Sequence, residues 1–171
     1  MTSLRAPEPE DRAERAAVLK ERIYLIFTTL AVTLSLASHG DHLAATEAAA
    51  TLAITVAGTL LAIFVADIVS HTSAHEALPT RAELRLMMRT SFGALRAITV
   101  PIIFFAGSVL VGWDLDVAFR VSTITLIVAL AVVARSALRR TTLSPGRRLL
   151  VLLAESAVGI AVVLLEVLAH G

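Results

Sequence analysis

Residues 48–69 read AAATLAITVAGTLLAIFVADIV, an apolar run whose one charged side chain, Asp67, stands close to its end. A helix rises ~1.5 Å per residue, so a run of this length covers the ~30 Å hydrocarbon core of a bilayer. Working outward, comparable runs occupy residues 23–38, 97–111, 115–134 and 149–169. The first and third are shorter and reach across with little tilt or with flanking residues at the interface. The whole chain of 171 residues is 57% apolar and 17% charged, with a mean hydropathy of +0.81. One soluble core of this size could not hide that many apolar side chains. The pattern predicts an all-α fold: a polytopic membrane helix bundle of five transmembrane helices plus a cytoplasmic amphipathic interfacial helix at about 80–94. Residues 1–22 form a charged N-terminal helix, and residues 23–171 form the membrane domain.

Cations set the orientation, because short loops rich in Lys and Arg stay in the cytoplasm. Arg5, Arg12, Arg15, Lys20 and Arg22 precede the first span, Arg81, Arg85, Arg89 and Arg96 follow the second, and Arg135, Arg139, Arg140, Arg147 and Arg148 follow the fourth. The intervening loops hold His39, Asp41, His42 and Glu47, or Trp113, Asp114 and Asp116, and no cation. A multi-pass plasma-membrane protein with its N-terminus inside and C-terminus outside follows. Residues 23–34 have the length of a signal-peptide core, with Ser35-Leu36-Ala37 as a cleavage site, but Glu8, Glu10, Asp11, Glu14 and Glu21 before them are foreign to such a leader.

The tail from Pro9 reads as a helix running into the first span. Pro79-Thr80-Arg81-Ala82-Glu83 is a capping box. The helix it starts is expected to turn Leu84, Met87, Met88 and Phe92 to one side and Arg81, Arg85 and Arg89 to the other, where they meet anionic headgroups of the bilayer. Basic residues spread over three juxtamembrane loops leave no nucleic-acid footprint. Thr51, Thr55, Gly58, Thr59, Ala62 and Ala66 give the second span a small-residue face, read mainly as packing within the chain. Pro101 predicts a kink or an open carbonyl in the third span.

Ionisable groups within a bilayer cost roughly 2.5–3.5 kcal/mol each on insertion scales and are kept inward, paired or functional. By depth, Arg120 and Glu166 share the outer leaflet and predict an ion pair, with Asp116 as a competing partner. Asp67 and Glu155 share the inner leaflet, where Arg96 could neutralise only one of them. Asp67, His71 and Glu155 are therefore the candidates for handling protons or small cations. Asp67-x-x-x-His71-x-x-x-His75 stacks three side chains on one side of a helix, a donor set that suits a divalent metal. No other cofactor is implied, and the lack of cysteine removes disulfides, thiolate metal sites and cysteine nucleophiles. The outer His39, Asp41, His42, Glu47, Asp114, Asp116 and His170 form an acidic, histidine-bearing rim, ascribed chiefly to the depletion of cations there.

Glu21-Arg22-Ile23-Tyr24 at the first span, the histidine-bearing turn after the second, the proline at the base of the third and the ending Leu164-Leu165-Glu166-Val167-Leu168-Ala169-His170 carry a resemblance. On these residues the chain resembles a group of small actinobacterial five-span integral membrane proteins with no assigned activity. The resemblance implies the fold and no chemistry. Two functions compete on the residues alone. One is a proton or small-cation channel or carrier built on intramembrane carboxylates, and the other is a non-transport scaffold or accessory protein whose charges lock helices together. An enzyme is not expected, for want of a nucleophile with a partnered base. A homo-oligomer is expected, since so small a bundle leaves much helix surface free.

Overall fold

The computed structural model describes residues 9–38 and 43–139 and isolated positions from 144 onward. Helix α1 (Pro9–Ser38) carries the charged tail into the first apolar run without a break. A proline suits its first position, where a missing backbone N–H costs nothing. Helix α2 (Ala45–His75) ends on Glu76, held in the left-handed region at φ 52°, which a non-glycine residue seldom adopts. Helix α3 (Arg81–Gly93) starts on the predicted capping box. The Thr80 N–H donates to Glu83 Oε2 at 2.7 Å, and the Glu83 N–H donates to Thr80 Oγ1 at 3.4 Å. A 3-10 segment (Ala94–Ile98) then leads into helix α4 (Thr99–Leu110). Pro101 falls in the first turn of α4, where the expected kink or open carbonyl gives way to a change of helix type: in continuous α geometry its ring would strike the carbonyl four residues back, at Ala97, and the chain is 3-10 just before it. Helix α5 (Leu115–Arg139) is capped by Asp114, whose Oδ1 accepts the N–H groups of Asp116 (2.8 Å) and Val117 (3.2 Å).

Two core layers fix the topology. One gathers Leu25, Ile26 and Leu30 of α1, Val56 and Leu60 of α2, Ala94 and Ile98, and Leu126 and Leu130 of α5. The other gathers Ala48 and Leu52, Phe105 and Phe119, with Leu36 and Leu115 against them. Residue numbers rise from the first layer to the second along α1 and α4 and fall along α2 and α5. The four helices therefore run alternately up and down. Arg81, Arg85, Arg89 and Arg135 lie toward the end beyond the first layer, the basic end of the bundle.

Three stretches are long and apolar enough to cross a membrane: Ala45–His75, the run Arg81–Leu110, and Leu115–Leu138. Among the described residues the chain is all-helical, and these three stretches suit a membrane protein. Of the five expected spans, 48–69, 97–111 and 115–134 fall on these stretches, 23–38 lies on α1, which is not one of them, and 149–169 lies mostly outside the described residues, as do Glu155 and Glu166. The predicted faces of α3 need correction. Met88 and Phe92 are exposed beside the arginines, while Leu84 and Met87 are half-buried and Ser91 is fully buried. At 100° per residue Phe92 falls between Arg81 and Arg85, so a two-sided split was never geometrically available. The small-residue face of α2 also differs: Gly58, Ala62 and Ala66 are exposed and line an open groove with Leu61, Val65 and Val69.

At the opposite end the α4–α5 turn uses glycine twice. Gly112 adopts φ +74°, and Gly107 lets the Trp113 ring lie directly on the helix backbone, where any Cβ would overlap it. The Gly107 carbonyl accepts the N–H groups of Val111 (2.9 Å) and Trp113 (3.3 Å), and the indole sits 5.4 Å from Phe104. Gly107→Val is expected to evict the ring and destabilise by about 1–3 kcal/mol. In detergent its melting temperature should fall clearly below that of the parent, and Trp113→Ala should have little further effect in the Gly107→Val background.

Candidate functional site: a carboxyl pair

Along α1, residues 21, 25, 29 and 33 form one row, because a four-residue step advances a helix by little more than one turn. All four are buried: Glu21 is 1% exposed, and Leu25, Thr29 and Thr33 are at 0%. The threonines meet their hydrogen-bonding need locally, donating to the carbonyls of Leu25 and Thr29 at 2.7 Å each. A glutamate has no such recourse. Its carboxyl neighbours that of Asp67 on α2, while Oε2 has no hydrogen-bond partner among the described residues. Lys20 and Arg22 flank it in sequence, but neighbours on a helix point about 100° away from each other. No cation forms an ion pair with either acid among the described residues.

Two carboxylates in contact cannot both be ionised without strong repulsion, and a hydrogen bond between them requires a proton on one. Glu21 stands before the apolar run that begins at Ile23. Burial first, then the charge and hydrogen bond of Asp67, push its carboxyl from 4.5 up to about 7, with Lys20 pulling slightly the other way. Ser91, one turn before the core residue Ala94, is fully buried, its hydroxyl without a hydrogen-bond partner among the described residues, placed on α3 toward the same end of the bundle.

The predicted site residues separate into different groupings. Asp67 neighbours Glu21 rather than Arg96, which is exposed in the 3-10 segment. The pairing of Asp67 with Glu155, and that of Arg120 with Glu166, involve residues outside the described set. Arg120 and Asp116 are both exposed and form no ion pair with each other. The proposed metal triad is not assembled. Asp67 turns to Glu21, and His71 Nε2 lies 3.8 Å from Glu83 Oε2. His75 stacks on His71 with centroids 4.4 Å apart, its Nδ1 3.1 Å from the His71 carbonyl oxygen. Among the described residues no three His, Asp or Glu side chains are arranged to hold one metal ion. Stacked imidazoles present faces rather than convergent lone pairs, and the helix spacing alone could not ensure convergence.

Glu21 is the residue that sequence reasoning missed, because it was counted with the charges of the tail. Its signal was the row of fours it shares with Leu25, Thr29 and Thr33. No protein-family model, curated protein or solved structure matches this chain.

A carboxyl whose folded pKa exceeds its unfolded value binds more protons in the native state. It therefore stabilises the fold below about 4.5, and that contribution drains away as pH rises through about 7. The melting temperature in detergent should drop between pH 5 and pH 8. Glu21→Gln, which keeps the shape and cannot ionise, should flatten that slope; an unchanged slope would remove Glu21 as its source.

Proposed function

We propose that this chain is a multi-pass membrane protein that takes up and passes protons, or a small cation in their place, at the Glu21–Asp67 pair. The observation that carries the reading is a carboxyl pair at the base of the apolar core, Glu21 buried and Asp67 half-buried, with no ion-paired cation among the described residues. A structural lock would be built from opposite charges, whereas two acids hold together only while they share a proton. Intramembrane and membrane-edge carboxyls of this kind mark proton relays. Buried hydroxyls at Thr29 and Thr33 on the same row, and at Ser122 on α5, place further polar atoms deeper in the bundle. The full architecture belongs to the same proposal: five spans, N-terminus inside and C-terminus outside, supported by fourteen of fifteen cations falling in three alternate polar segments.

Reconstituted in liposomes under an imposed pH gradient, the parent protein should dissipate the gradient. Glu21→Gln and Asp67→Asn should each slow this at least tenfold while circular dichroism and gel-filtration profiles stay unchanged. If well-folded parent protein passes neither protons nor potassium, sodium, zinc, manganese or iron, the pair is a structural element of a scaffold. Orientation is checked separately, since the chain has no native cysteine. Thr46→Cys should react with an impermeant thiol reagent in intact cells, and Leu78→Cys only after permeabilisation.

A further inference from the structure

Helix α3 presents a face of unusual mixture. Arg81, Arg85 and Arg89 fall within an arc of about 80°, and Met88 and Phe92 lie within or beside it. Leu86 lies about 60° beyond Arg89. All six are exposed, the three apolar ones by 48% (Leu86), 44% (Met88) and 51% (Phe92). The one acid of the helix, Glu83, is on the other side and already engaged by Thr80 and His71. The three guanidiniums form no ion pair among the described residues.

Neither water nor hydrocarbon suits this surface. Facing water, three large apolar side chains would stay wetted at roughly 25 cal/mol per Å² of exposed area. Facing hydrocarbon, each arginine would cost roughly 2.5–3.5 kcal/mol. The boundary between the two satisfies both, since apolar side chains enter the acyl region while guanidiniums reach the phosphates. The position in the chain agrees. The 3-10 segment joins α3 directly to α4, where Val100, Ile102 and Ile103 are exposed on a helix apolar enough to lie in lipid. Successive arginines stand about 6 Å apart along the axis, so two forks can flank one phosphodiester.

We propose that the exposed face of α3 is a binding surface for anionic phospholipid, with Arg81, Arg85 and Arg89 on the headgroup phosphates and Met88 and Phe92 among the acyl chains. The bound class is a phosphodiester lipid without a compensating ammonium group. This surface is independent of the carboxyl pair and stands or falls apart from it.

The test uses the purified full chain in neutral detergent, titrated with phosphatidylglycerol, phosphatidylcholine or inorganic phosphate, and followed by thermal shift and by native mass spectrometry of retained lipid. Phosphatidylglycerol should bind and raise the melting temperature, while the other two should not. Affinity should fall roughly fivefold for each arginine replaced by glutamine. Arg85→Lys should retain part of the binding, since it keeps charge without the fork. If the triple variant fails to fold, the single variants Arg85→Gln and Arg89→Gln carry the same expectation. Phosphatidylglycerol binding that is unchanged in the folded variants overturns the proposal. Equal response to inorganic phosphate also overturns it, because the surface would then be a phosphate site with no role for its apolar side chains.

Discussion

The contact of α1 with its neighbours through a row repeating every four residues is the constraint on which the bundle rests. Helix α1 touches α2, α3, the 3-10 segment and α5, with α5 its most extensive partner. The facing row of α5 also steps by fours, through Ala118, Ser122, Leu126, Leu130, Ala134 and Leu138, all buried. Two such rows pack as ridges into grooves. Whatever occupies the α1 row is thereby committed to the interior, including Glu21.

That commitment explains the local chemistry. A buried threonine is satisfied by its own helix, through the carbonyl one turn back. A buried carboxyl needs a donor, a cation or a proton. Cations are plentiful at the basic end, yet helix geometry turns Lys20 and Arg22 away from Glu21, and the arginines of α3 are exposed. Asp67 is what α2 brings to the row, two turns beyond the core residue Leu60. The outcome is two acids side by side, with burial and the neighbouring Asp67 pushing the Glu21 carboxyl up, a different object from the opposite-charge locks that commonly fasten membrane helices.

The two ends of the bundle are finished by different means. At the basic end, α2 and α3 are joined through the left-handed Glu76 and the Thr80–Glu83 box, with His71 approaching the same carboxylate. At the other, Trp113 folds back onto a bare stretch of α4 backbone at Gly107. In each case a short-range feature of the turn sets the angle at which a long apolar helix leaves it, and so decides which face meets the core.

Much of the fold was legible from one-dimensional signals. The 48–69 run, the capping box, the continuous first helix and the break near Pro101 depend on length, hydropathy and the stereochemistry of single residues, which act within a few positions of themselves. The faces of α3 depended on angle as well, and there a grouping by residue type misplaced Met88 and Phe92. The site was legible only in half. Asp67 declared itself by standing alone in an apolar run, because an isolated charge in such surroundings needs a reason wherever the helix lies. Its partner did not, since Glu21 among the tail charges looks like any solvated acid, and burial is decided by which helix packs over it. The convergence of Asp67, His71 and His75 failed for the same cause: a spacing of four puts side chains on one side of a helix, but only the neighbouring helices, here α1 with Glu21 and α3 with Glu83, determine where each one turns.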